Sequence, residues 1–166
     1  KRTGAQSILK NNWIYDGNRV KLFAAKGEYI SFQVVLTNHS EAPLKGIEIQ
    51  MSSLKNSNTE LNIKPELFLE WSVEVKTPST GYPRATLGKG WYPDALIPMK
   101  YIQQGKINRN GSWTYPLQLP DFNNRIDKQI SQAFWIDQYI PLDAVPGIYA
   151  AEVRIVIGGI AKEIPV

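Results

Sequence analysis

Residues 132–166 read QAFWIDQYIPLDAVPGIYAAEVRIVIGGIAKEIPV, and this stretch decides the fold. Phe134, Ile136 and Ile140 fall on one side of an extended chain, with Gln138 the polar member of that set. Trp135, Asp137 and Tyr139 fall on the other side. A period of two belongs to a β-strand, because successive side chains point to opposite faces. Pro141 ends the strand, and Leu142–Gly147 carries the Pro-Gly punctuation of a turn. Tyr149, Ala151, Val153, Ile155 and Ile157 then resume the alternation up to Gly158-Gly159. Paired glycines supply the positive φ that tight hairpin turns require. The spacing therefore predicts an antiparallel hairpin of Ile148–Ile157 with Ile160–Val166, burying Tyr149, Val153 and Ile155.

The same period recurs upstream. Ile30, Phe32, Val34 and Leu36 share a face, as do Ile47, Ile49 and Met51, and again Leu67, Leu69, Trp71, Val73 and Val75. No long run shows apolar residues at helical spacing behind a cap. Many short strands with turn residues between them point to an all-β protein, an antiparallel β-sandwich of the immunoglobulin-like kind, with a closed barrel as the alternative.

Between about residues 77 and 125 the alternation fades. Prolines gather there, with Tyr82, Trp91, Tyr92, Tyr101, Trp113 and Tyr115. The stretch reads as a long proline- and aromatic-rich insert draped over the sandwich, with a short strand near Met99–Gln103. Within it, KGWYPDALIP (Lys89–Pro98) places Pro93-Asp94 where a turn is expected, with Asp94 bonding nearby backbone N–H groups. Leu96 and Ile97 offer apolar anchors, and adjacent residues of an extended segment point opposite ways, so at least one is expected to bury.

Length and composition set the outer limits. The chain has 166 residues, the size of one domain, and 43% of them are hydrophobic. That is enough to bury a core without covalent staples. The net charge is +4, but Lys and Arg are scattered rather than striped, so no nucleic-acid partner is expected. No apolar run approaches the roughly 20 residues of a membrane helix, so no membrane span is expected. Cysteine is absent, which removes disulfides, thiolate metal sites and a Cys nucleophile.

Catalytic patterns are missing too. His39 is the single histidine, at a strand end where a surface role is usual. No nucleophile elbow, phosphate loop or dinucleotide fingerprint occurs. No two acidic residues are adjacent in the sequence. No catalytic residue, metal or cofactor is therefore expected in this chain. The remaining chemistry is aromatic surface. Trp135, Asp137 and Tyr139 on one strand face, and Trp91, Tyr92 and Asp94 in the insert, are the candidate binding residues. Rings would stack on a sugar's C–H face, and carboxylates would accept from its hydroxyls. A covering segment or neighbouring domain over the same face is the structural alternative, because a bare Trp/Tyr face is sticky.

GEYISFQVVLTN, WYPDALIP and FWIDQYIPLDAVPGIYAAEVRI occur in that order over about Val20–Val166. Together they resemble the N-terminal domain of glycoside hydrolase family 123-like proteins and of bacterial proteins carrying the family 4091 domain of unknown function. The matching positions include Gly27, Glu28, Phe32, Gln33, Tyr92, Pro93, Asp94, Phe134, Trp135, Asp137, Tyr139 and Tyr149. The resemblance implies a β-sandwich ahead of a (β/α)-barrel that removes N-acetylgalactosamine from glycans through a neighbouring Asp-Glu pair. That pair has no match here. It also implies a bacterial protein that is periplasmic or extracellular. The chain is accordingly expected to be one domain over residues 1–166. It would be a non-catalytic accessory unit whose partner is a following catalytic domain of the same polypeptide. An independent carbohydrate-binding module, with a glycan as partner, is the alternative.

Overall fold

The computed structural model describes residues 11–79, 88–103 and 116–166. Tyr82, Trp113 and Tyr115, named above in the insert, lie outside the described residues.

The elements in chain order are β1 (Tyr29–Thr37), β2 (Glu48–Met51), β3 (Glu66–Val75), β4 (Gly90–Pro98), α1 (Met99–Gln103), β5 (Ser131–Tyr139), β6 (Glu152–Ile157) and β7 (Ile160–Pro165). They form two sheets, a large one in the order β1-β5-β3-β4 and a small one in the order β2-β6-β7. Every strand pair is antiparallel. The architecture is an all-β sandwich.

The stretch that opened the reading behaves as its period demands. Along β5, Gln132, Phe134, Ile136 and Gln138 are buried, while Ala133, Trp135, Asp137 and Tyr139 are partly exposed. Gln138 interrupts the apolar side yet stays inside. Its amide donates to the carbonyls of Ile63 and Tyr139 at 3.0 and 2.7 Å, so the polar group anchors a loop instead of rejecting the core. β6 and β7 pair from Glu152↔Pro165 to Ile157↔Ile160 across Gly158-Gly159, both at positive φ. Reciprocal bonds between Ala151 and Val166 extend the hairpin at 3.0 and 2.8 Å. Val153 and Ile155 are buried, and Tyr149 is half-buried against a second small cluster around Leu54 and Leu61.

The main core lies between the sheets. Phe32, Leu69, Phe134 and Ile136 come from the large sheet, and Ile49, Val153 and Ile155 from the small one. Leu119 seals one side, held by reciprocal backbone bonds to Leu44 at 2.9 Å.

Two expectations for the middle of the chain are corrected. Lys89–Pro98 is not a turn pinned on the sandwich: Gly90–Pro98 is β4, the edge strand of the large sheet, paired with β3. Pro93 is tolerated because an edge strand leaves one side of its backbone unpaired. The register skips Asp94, so a β-bulge sits where the turn was expected. The short strand expected at Met99–Gln103 is a single helical turn instead. Met99 and Ile102, three residues apart, both point into the core from it, which a strand would forbid.

Candidate functional site

The large sheet has one face on the core and one turned away from it. Residues directly opposite in antiparallel strands share a face. The outward face therefore follows from the register. Tyr29 stands opposite Tyr139, Ser31 opposite Asp137 and Gln33 opposite Trp135. On the other side of β5, Glu66 stands opposite Asp137 and Phe68 opposite Trp135. Further out, Glu70 faces Leu96, Ser72 faces Pro93 and Glu74 faces Trp91.

The bulge shapes this surface. It leaves Pro93 and Asp94 consecutive on the outward side, because one extra residue breaks the alternation. A shallow cleft of about 220 Å³ opens there, lined by Gln33, Glu70, Pro93, Asp94, Leu96 and Trp135. It is smaller than the roughly 300–1,000 Å³ of a typical small-molecule pocket.

Glu70 is the unusual member. Its side chain is only 4% exposed, in the middle of a face that β-periodicity marks as wet. Oε1 accepts from the Gln33 amide at 2.7 Å, while Oε2 is buried with no hydrogen-bond partner among the described residues. Burial pushes its carboxyl above the ordinary glutamate value, and the Gln33 bond offsets part of that rise. The backbone around it is pinned by side-chain amides. Gln132 donates to the Glu70 carbonyl at 2.8 Å. Asn124 accepts from the Ser72 N–H at 2.9 Å and donates to the Ser72 carbonyl at 2.8 Å, replacing a strand where the β3–β5 pairing has ended.

Trp135 is also held. Its indole N–H donates to Asp137 Oδ1 at 2.5 Å, and the Ser31 hydroxyl donates to the same oxygen. Asp137 lies two residues along the same strand face. The bond draws the partly exposed indole along the strand towards Asp137. Tyr29 and Tyr139 continue the strip, with ring centroids 5.0 Å apart.

Of the candidate binding residues, Trp91, Asp94, Trp135, Asp137 and Tyr139 share the outward face, and Trp135 and Asp94 border the cleft. Tyr92 does not join them. It stands opposite Val73 on the reverse face, and its hydroxyl donates to the Gly88 carbonyl at 3.1 Å. Sequence reasoning missed Glu70 and the role of Gln33 beside it. Both sit at polar positions of alternating strands, and only the pairing of β1, β5 and β3 brings them together.

Among the described residues, no group of three His, Cys, Asp or Glu side chains is placed to hold a metal ion, and no helix is long and apolar enough to cross a membrane.

The comparisons with known proteins agree with this architecture. The model of the glycoside hydrolase 123 N-terminal domain matches residues 10–157. The chain belongs to that family. Among solved structures it is similar to a family 123 glycoside hydrolase from Clostridium perfringens, described for glycolipid glycan hydrolysis. The TM-score is 0.56 at 17% identity, over 86% of this chain and 20% of that one. The chain thus spans about a fifth of the length of that hydrolase. No curated protein matches it.

Proposed function

We propose that this glycoside hydrolase 123 N-terminal domain is a non-catalytic accessory unit. Its large-sheet outer face docks on a neighbouring catalytic domain of the same polypeptide, orienting that domain or completing its cleft. The observation that carries the reading is the outer face itself. Trp135, Tyr139, Tyr29, Phe68 and Leu96 line a face that the second sheet does not cover, and the hollow beside Trp135 is shallow. A flat, partly apolar face suits a protein surface, whereas a ligand site is usually concave. The family match and the longer hydrolase that shares the fold support a neighbour of that kind.

One observation favours a second reading, a carbohydrate-binding module. Trp135 is partly exposed and bonded to Asp137, an aromatic ring with a carboxylate beside it, the pair of groups that a sugar's C–H face and hydroxyls would use. Calorimetry on the isolated chain separates the two. The accessory reading expects no binding of N-acetylgalactosamine-terminated oligosaccharides and no turnover of aryl N-acetylhexosaminides. Saturable glycan binding lost in Trp135→Ala would establish the module instead. Turnover abolished by replacing a single carboxylate would make the chain an enzyme. We further propose that the parent protein lies outside the bacterial cytoplasm, which cell fractionation checks.

A further inference from the structure

We propose that the cleft beside Trp135 is the socket for an arginine side chain presented by the neighbouring domain, its guanidinium closing on Glu70 and Asp94. The inference rests on the docking reading above and names the chemistry of the contact.

Hydrogen-bonding supply and demand in the cleft point to this occupant. The side-chain donors on its walls are few, and the Gln33 amide has one N–H beyond the bond it already makes. The Gln33 amide is bonded to Glu70 Oε1, and the Trp135 indole N–H is bonded to Asp137. Acceptors remain in excess: Glu70 lines the cleft with its Oε2 buried and without a partner among the described residues, so that a turn of the side chain is needed to offer it, and the Asp94 carboxylate is exposed at the rim. A sugar hydroxyl both donates and accepts, so acceptors in excess of donors suit it less well than a group that only donates. A guanidinium carries only donors, five N–H groups in a planar fork.

Charge selects the same group. Glu66, Glu70, Glu74, Asp94 and Asp137 lie on or border the outward face, and none of the residues that the register places there is Lys or Arg. This holds in a chain whose net charge is +4. An acidic cluster alone would say little, since carboxylates on a surface are normally solvated. Glu70 differs because its carboxyl is withdrawn from water and left half-satisfied, a cost that a bound cation removes. The shape agrees as well. About 220 Å³ is small for an oligosaccharide, and Trp135 on the cleft wall is the kind of ring on which guanidinium planes stack.

The test uses ethylguanidinium as the probe and the indole N–H resonance of Trp135 as the reporter, assigned through Trp135→Phe. The expected result is a saturable shift in the wild-type chain. Affinity should fall about tenfold or more in Glu70→Gln and fall less in Asp94→Asn. It should also weaken as the pH drops through the raised value of Glu70, where the carboxyl takes up its proton. Ethylurea, planar but neutral, should leave the resonance unmoved. Glu70→Gln is close in shape and can keep its bond to Gln33, and Asp94 is exposed, so both variants should keep the wild-type indole spectrum. Failure to saturate, an equal response to ethylurea, or full affinity in Glu70→Gln would each overturn the proposal. A shift with N-acetylgalactosamine but not with ethylguanidinium would overturn it in favour of a glycan subsite. The docking reading is tested apart from this, by radical footprinting of the whole polypeptide. A protected face with a cleft that ignores ethylguanidinium leaves docking standing and removes the arginine. An unprotected face removes docking, and with it the arginine's source.

Discussion

The two sheets share one core but turn different surfaces outward. On the small sheet, Gln50 stands opposite Arg154, Arg154 opposite Glu163, and Glu48 opposite Val156. The Arg154 guanidinium lies 3.7 Å from Glu163, with both side chains about half exposed. Charges of both signs lie interspersed, which suits water. On the large sheet the same positions carry aromatic rings, Gln33 and carboxylates, with no Lys or Arg among the residues the register places there. The inward faces are alike, so folding alone does not explain the difference. A sandwich needs only that its outer residues tolerate solvent. The large sheet keeps a carboxyl half-satisfied among the described residues and a partly exposed tryptophan on its surface, which is costly unless something covers them.

Three substitutions sharpen the contrast. The largest effect belongs to the core that both sheets share. Phe134→Ala, at a side chain 1% exposed, should cost about 3–5 kcal/mol in chemical denaturation. A loss below about 1 kcal/mol would mean that the inward face of β5 has been misassigned.

Glu70→Gln comes next and has the opposite sign. Burial raises the Glu70 carboxyl, so the folded chain holds that proton more tightly than the unfolded one. The resulting stability is full below the ordinary value of 4.5 and is lost as pH rises through the raised one. At neutral pH the substitution should therefore stabilise the isolated chain and flatten the decline above pH 4.5. Destabilisation at neutral pH would show that the carboxyl is well served where it lies.

Arg154→Ala should do least, within about 0–1 kcal/mol and less in high salt, because an exposed ion pair is weak and screened. A larger loss would mean that the small sheet also has more to its surface than solvation.

How much of this was legible in the sequence depends on where a residue finds its partners. The face of Phe134 and Ile136 and the hairpin at Gly158-Gly159 follow from neighbours a few positions away, so the alternation and the paired glycines were sufficient. β4 was hidden because Pro93 and the bulge at Asp94 break the period within nine residues. Met99 and Ile102 have the i, i+3 spacing of a helical turn, but one such pair is too short a signal to separate helix from strand. Trp135, Asp137 and Tyr139 were readable as one face because they lie on one strand. The cleft was not, because Gln33, Glu70, Asp94 and Trp135 come from β1, β3, β4 and β5, and no local pattern encodes which strands become neighbours. Glu70 looked like any outward-facing polar residue of an alternating strand. Its burial comes from the residues packed around it.

The central proposal is that the large sheet's outer face is covered by a neighbouring domain. The most direct measurement is hydroxyl-radical footprinting of residues 1–166 alone and within the whole polypeptide. Trp135, Tyr139 and Leu96 should label readily in the isolated chain and be several-fold protected in the whole protein. Ile160, 78% exposed on the small sheet's hairpin, should label equally in both. Equal labelling of Trp135, Tyr139 and Leu96 in the two contexts would contradict the proposal.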